Sequence, residues 1–455
     1  MKFARFLPDY GWEPVVLTTS RFGESYAGSE TVVRTGELFE SLRGRKGSPE
    51  HSFPQYESNM NVRQSRGGHT MHSSPTDEIG TVESSNGSGL PGFLRNALKG
   101  LASRLMVPDS HILWTRKAYK RAKEMMDAGG IDLIYSSSPP SSSHILARDL
   151  KKATGVPWVM DMRDPWTLEP IERHLAGSAS RMRIEKRMER SCFETADCIV
   201  VNTENAAREY RKLYVECNRK IVVITNGYDE EEMNEARRLE AERPIIERND
   251  ARFVMSHIGS FSRYLYRGDY PVSLLEAIRS LIDEAVIGRT DIEIYFVGNK
   301  SHGAAAKMES YNLGPTLHIV PPVTHIDALR YMISSDALLV YDPDTNGRLC
   351  VRGKVYEYLA SGRRILALVP QGEMADLIRR TGAGIVCAPD DVACIRRALL
   401  RLFTEHTSTG MVISGEERSG RFAEDNILDI RSFERRALTG KLADCMNGVF
   451  LSRKA

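Results

Sequence analysis

Phe253-Val254-Met255-Ser256-His257-Ile258-Gly259-Ser260 is the stretch that decides the fold. A short, mainly apolar run closed by a glycine turn reads as a buried strand of a parallel sheet. Beyond it, a helix is predicted over 272–282 and a strand over 292–297 that ends in Gly298-Asn299. Strands follow at 317–320, 337–341, 365–368 and 384–387, with helical patterns between them. Such alternation builds a parallel sheet covered by helices on both faces. The same alternation has already run once upstream. Strands are predicted at 13–19, 131–135, 158–160, 198–201 and 221–224, and helices at 144–152 and 179–195. The fold class is therefore α/β, with two doubly wound, Rossmann-like domains. Ligands of such sheets bind beyond the carboxyl ends of the strands, so the cleft between the two domains is the expected site.

The chain has 455 residues, enough for more than one core. Its 62 Lys and Arg nearly cancel its 60 Asp and Glu, for a net charge of +2, which removes the simplest electrostatic case for nucleic acid. No apolar run reaches the ~20 residues that a bilayer crossing needs. The 7 Cys form no C-x-x-C pair, which argues against a disulfide framework and a zinc module and for a reducing, cytoplasmic setting. Residues 1–7 lack the apolar core of a signal peptide and read as a helix already under way, with Phe3, Phe6 and Leu7 on one face. The domain boundaries are read as 1–228, a highly charged linker at 229–250, a second domain at 251–422, and a C-terminal helix at 423–455. Residues 41–92 are rich in Ser, Gly, Glu, Arg and His and nearly free of aliphatic side chains, and are expected to be a disordered insertion. Residues 93–106 form a basic amphipathic pattern with Leu94, Leu98, Leu101 and Leu105 as its stripe. That helix either packs on its own domain or lies peripherally on a membrane.

Four clusters have the residue types for chemistry. Asp161-Met162-Arg163-Asp164-Pro165-Trp166 follows a buried strand. A carboxylate there would serve as a general base toward a hydroxyl and Arg163 would clamp an anion, or the group is a self-paired knot that orders the loop. Arg352-Gly353-Lys354-Val355-Tyr356-Glu357 opens a helix. Its free amides and two cations suit a phosphate, and Glu357 lies one turn further along the same face as Lys354; the alternative is an exposed ion pair. The serine run from Ser136 to His144 contains Ser138 and ends another strand; either it faces a substrate or His144 merely caps or packs its helix. Ser256 to Arg263 forms the strand-to-glycine turn that opens the second domain. Neither a P-loop nor a G-x-G-x-x-G fingerprint occurs.

Together these pieces resemble the family-four-like glycosyltransferases of GT-B architecture. Phe6-Leu7-Pro8-Asp9-Tyr10-Gly11-Trp12-Glu13, the run from Gly155 to Trp166, Thr225-Asn226-Gly227-Tyr228-Asp229, and Gly353 to Gly362 carry the likeness. The resemblance implies a nucleotide-sugar donor, UDP- or GDP-linked, in the second domain. Glu357 would hold the ribose, and Arg352, Gly353 and Lys354 the diphosphate. Gly259 and Arg263 would lie near the phosphates, and Gly298, Pro322 and Val323 near the base. The first domain would hold a glycan or lipid-linked acceptor, faced by Asp161, Arg163 and Asp164 and by Ser138 and His144. The C-terminal helix would cross back to that domain. Retention of configuration, no metal and no further cofactor are also implied. Loss of a diphosphate calls for fixed positive charge and amide dipoles at the leaving group, which fits the Arg352–Gly353–Lys354 set.

The chain departs from the family in four places. Leu349 stands where an E-x7-E pattern would put its first Glu. Arg263 and Arg267 are the only candidates for the phosphate-binding pair after the opening strand. Arg163 replaces a frequent His. The first strand and Gly-rich loop expected before the Phe6-Leu7 helix are missing from the chain as given. The expected function is sugar transfer in surface polysaccharide or glycoconjugate synthesis, at the cytoplasmic membrane face. A nucleotide-sugar 2-epimerase and a non-catalytic sugar-nucleotide binder are the alternatives.

Overall fold

The computed structural model describes residues 2–20, 31–36, 106–168, 179–247, 249, 251–260, 270–299, 302–343, 348–410 and 429–454. The expected insertion at 41–92, the basic helix apart from Met106, and Arg263 and Arg267 lie outside the described residues.

The first domain opens with α1 (Lys2–Phe6), β1 (Val15–Thr19) and β2 (Thr31–Thr35). It continues through α2 (Thr115–Asp127), β3 (Ile134–Ser138), α3 (Ser142–Thr154), β4 (Trp158–Met162), α4 (Ala179–Thr195), β5 (Cys198–Val201), α5 (Glu204–Leu213) and β6 (Ile221–Val223). Strands β3-β4-β5-β6 form one parallel sheet in that order, and β1 and β2 pair separately, also in parallel. Every residue of β4 is buried, as a central strand covered on both faces requires. Strand β3 begins three residues later than the apolar pattern suggested and runs into the serines. They are accommodated because Ser136 Oγ finds polar partners: it accepts from Trp158 Nε1 at 2.8 Å and meets His144 Nδ1 at 2.8 Å.

Asp229 caps α6 (Glu230–Glu242), its carboxylate accepting from the amides of Glu231 and Glu232. The second domain then runs through β7 (Phe253–Ile258), α7 (Val272–Asp283), β8 (Ile292–Val297), α8 (His302–Glu309), β9 (Leu317–Val320), α9 (His325–Ser334), β10 (Ala337–Tyr341), α10 (Gly353–Ser361), β11 (Arg364–Leu368), α11 (Glu373–Arg380), β12 (Gly384–Cys387) and α12 (Val392–Gly410). Its six strands are parallel in the order β12-β11-β10-β7-β8-β9. One face buries Val254, Ile258, Leu338 and Val340 with α9 and α10, and the other buries Phe253, Met255, Ile294 and Leu339 with α7 and α12. The strand order reverses between β7 and β10, which places a ligand crevice beyond their carboxyl ends.

The last helix, α13 (Arg435–Lys454), returns to the first domain. Leu438, Leu442, Ala443 and Met446 share a core there with Phe3, Leu7, Val159 and Val200. The return is held by main-chain bonds, Tyr228 N to Phe433 O at 3.1 Å and Arg435 N to Tyr228 O at 2.8 Å. The domains also touch near α5. Thr203 Oγ donates to the Leu349 carbonyl, the Asn205 amide donates to Glu373 Oε2 at 3.0 Å, and the Leu349 side chain packs on the first-domain core that contains Trp166 and Ala206.

One cysteine expectation is corrected. Cys387 and Cys394 form a disulfide that closes the turn between β12 and α12. Their Cα atoms lie 5.8 Å apart, and this short local loop is a contact that spacing alone did not flag. Among the described residues, no helix is long and apolar enough to cross a membrane, and no cluster of His, Cys, Asp and Glu could hold a metal ion.

Candidate functional site

The crevice floor is built from two glycines. Gly259 ends β7 with φ +147° and Gly298 ends β8 with φ +127°, both in the region that favours glycine. A Cβ on Gly298 would come within 2.5 Å of the Gly259 carbonyl oxygen, and one on Gly259 within 2.6 Å of Lys354 Nζ. The bare backbone therefore makes room for the lysine. Lys354 Nζ donates to the Ile258 carbonyl at 2.9 Å. Removal from water pulls its pKa down to about 8; Arg352 pulls the same way, and Asp342 and Glu357 oppose.

Arg352 is the N-cap of α10 and has extended backbone with no side-chain cap. Its Nε donates to Asp342 Oδ2 at 2.6 Å, directly beyond β10. Asp342 is 2% exposed, and its Oδ1 has no hydrogen-bond partner among the described residues. The motif reading did not pick out Asp342; its place immediately after the strand 337–341 was the available signal.

Glu357 is half-buried one turn into α10, and burial raises its pKa. His325, at the start of α9, lies between two carboxylates: Nε2 is 3.2 Å from Glu232 and 3.6 Å from Glu357. The bond with Glu232 raises the His325 pKa. Although burial opposes it, Glu232 is held down to about 2 by His325 and Lys2. Lys2 contacts both Asp229 and Glu232, so the first-domain helix α1 helps to set the charge beside Glu357. His325, Glu232 and Lys2 left no local sequence signal, because they are joined only by the fold. Val323 is half-buried and packs on the second-domain core just before α9.

Across the cleft, the structure separates the three residues of the Asp161 loop. Asp161 is 1% exposed and fully engaged. It accepts from Tyr135 Oη, from Ser137 Oγ at 3.2 Å and from Arg163 Nε at 2.7 Å. Arg163 Nη1 donates to the Thr225 carbonyl at 3.2 Å and to Asn226 Oδ1 at 3.4 Å, while its buried Nη2, 2.5 Å from Asp161 Oδ1, has no hydrogen-bond partner of its own among the described residues. These two residues form the self-paired knot. Asp164, half-buried like Arg163, has no such partner among the described residues; burial raises its pKa, against the pull of Arg352 from the second domain and of Arg163. Behind the loop, the Trp166 amide donates to Tyr210 Oη at 3.0 Å, and the fully buried Glu189 has its pKa pushed up to about 7 by burial.

Ser138 and His144 are placed inside the first domain and not on its cleft surface. His144 is 0% exposed, packs beside Trp158, and has its pKa lowered to about 4 by burial, so it is a neutral core imidazole. The sequence pattern could not separate these positions from a substrate loop, because polar strand ends look alike until their burial is known.

Two parallel α/β domains, a crevice at the strand-order reversal of the second and an ordered loop facing it from the first define the GT-B architecture. Residues 82–232 match the Glycosyltransferase Family 4 model. The fold is similar to sucrose-phosphate synthase from Thermosynechococcus elongatus, with TM-score 0.55 and 14% identity over 75% of this chain and 80% of that one. It is also similar to the trehalose 6-phosphate synthase of Burkholderia multivorans, with TM-score 0.54 and 13% identity over 75% and 77%. A UDP-forming trehalose-phosphate synthase from Burkholderia xenovorans aligns with TM-score 0.50 and 13% identity over 73% and 78%. No curated protein matches the chain in sequence.

Proposed function

We propose that this protein is a glycosyltransferase that moves a sugar from a nucleotide-sugar donor to a glycan or lipid-linked acceptor. The observation that carries the reading is the crevice at the β7–β10 reversal. There Gly259 and Gly298 clear the floor, Lys354 and Arg352 stand beside the uncapped amino end of α10, and Glu357 follows one turn on. The free amides and the two cations suit a diphosphate and its charge on departure. Glu357 suits the paired hydroxyls of a ribose. Asp164 is the carboxylate of the facing loop that remains available to an acceptor hydroxyl.

The donor is UDP- or GDP-linked, and UDP is tested first because a protein of the same fold is UDP-forming. The residues at hand need no cofactor beyond the substrate. The test is a turnover screen across nucleotide sugars with membrane-extract acceptors, scored by release of free nucleotide and by a glycosylated product. Nucleotide release that depends on an acceptor supports the proposal. An epimerised sugar formed without acceptor would replace it with the epimerase reading, and absence of nucleotide binding would remove it.

A further inference from the structure

Arg435 stands beside Arg163 in the cleft cluster and, among the described residues, has no ion pair of its own. It starts α13, reaching the cleft from the far end of the chain, and its main-chain amide is tied to the Tyr228 carbonyl at 2.8 Å. Its guanidinium carbon lies 5.9 Å from the centre of the Phe3 ring, and the Arg163 guanidinium lies 5.1 Å from the same ring. Two guanidinium groups therefore share one buried aromatic ring. Arg163 is neutralised by Asp161 at 2.5 Å. Lys2 and Arg5 are paired with Asp229, Glu231 and Glu232. Among the described residues, the Arg435 side chain has no hydrogen bond and no ion pair, though it is only half exposed to water. Holding a second guanidinium beside Arg163 without a contact ion pair costs free energy, and the pKa of Arg435 is lowered by burial and then by Arg163, against the pull of Glu357, Asp161 and Asp229. Glu357 and Asp161 are close enough to act on it electrostatically, so it stands between the donor face and the facing loop.

We propose that Arg435, its fork open beside Arg163 and Phe3, is an anion subsite of the cleft that takes a phosphate group of a bound substrate. A planar guanidinium with unused N–H groups matches phosphate oxygens in bidentate geometry. This inference rests on the transferase reading for its choice of phosphate. The group belongs either to the donor diphosphate or to a phosphate carried by the acceptor.

Calorimetric titration of the full chain separates the two sources. Wild type, Arg435→Gln and Arg435→Lys are titrated with UDP, with GDP, and with inorganic phosphate in the absence and presence of saturating nucleotide. If phosphate binds to the nucleotide-saturated wild type and Arg435→Gln weakens that binding about tenfold while nucleotide affinity stays within about twofold, the phosphate is the acceptor's. If Arg435→Gln instead weakens nucleotide itself about tenfold, it is the donor's. In either case Arg435→Lys should restore part of the loss, which a purely packing role for the stem would not require. If neither phosphate nor nucleotide binding changes by more than about twofold in Arg435→Gln, the subsite is overturned. Wild type that binds phosphate through Arg435 but neither nucleotide would leave the subsite standing and sink the nucleotide-sugar reading.

Discussion

The charge state of Lys354 makes nucleotide binding depend on pH in a way that can be calculated. Burial leaves this lysine with a pKa of about 8, and its Nζ donates to the Ile258 carbonyl at 2.9 Å. A diphosphate beside it would favour the charged form and raise the pKa toward the ordinary lysine value of about 10.4. Binding then takes up a proton wherever the free protein has lost it. Affinity should be level below about pH 8 and fall roughly tenfold per unit above it, so that UDP binds about tenfold more weakly at pH 9 than at pH 7. The full coupling is at most ~3 kcal/mol, the value of ~2.4 pKa units. Calorimetry in two buffers of different ionisation heat should detect about half a proton taken up per UDP at pH 8. In Lys354→Gln the protein should bind UDP more weakly, and the limb that begins near pH 8 should disappear. His325 also carries a raised pKa and can lose its charge on the alkaline side, so His325→Gln is run in parallel. Equal wild-type affinity at pH 7.5 and 9.5, or an alkaline limb that survives in Lys354→Gln and vanishes in His325→Gln, would refute the assignment of Lys354 to the phosphates.

Three further expectations concern carboxylates. Glu357→Ala should weaken UDP and uridine alike, by roughly 150-fold or more for two hydrogen bonds to a charged acceptor, and should leave pyrophosphate binding nearly unchanged; equal losses for all three ligands would mean a general disruption of the crevice. Asp161→Asn removes the charge that compensates Arg163 in a buried pair and should lower unfolding stability in urea by ~3–5 kcal/mol, whereas an effect on turnover alone would make Asp161 a catalytic group. Glu189 has a native pKa of about 7 against an ordinary 4.5, so the native state binds the extra proton. Its contribution to stability is therefore present below pH 4.5 and is lost as pH rises toward 7, by ~3 kcal/mol in all. Glu189→Gln should remove that slope from urea melts measured between pH 4.5 and 8, and an unchanged slope would show that another group is responsible.

Much of the architecture was legible because burial in a parallel sheet writes itself locally. Runs such as Phe253–Ile258, Ile292–Val297 and Ala337–Tyr341 are mainly apolar, are buried on both faces and end at glycine or at a polar residue, so their limits coincide with the strands. The crevice residues were legible for the same reason: Gly259, Gly298 and Lys354 stand at fixed offsets from strand ends and a helix start. The first-domain face was less so. Asp161 and Asp164 are indistinguishable in a chain of letters, yet one is sealed beneath Tyr135, Ser137 and Arg163 while the other stays at the cleft. Leu349 looked like the loss of a site carboxylate, and in the structure its side chain joins the second domain to the first-domain core.

The sequence by itself determined the two alternating series, the strand-end turns and the order of the motifs, because each depends on side chains within a turn or a strand of one another. The tertiary structure alone decided the partners. It brought Lys2 to Glu232 and so to His325, seated Arg435 of the last helix on Phe3 of the first, and left Arg163 paired with Asp161 and Arg435 without an ion pair among the described residues. Those outcomes depend on contacts between segments hundreds of residues apart, and on how much water each contact excludes, and neither is written in local periodicity.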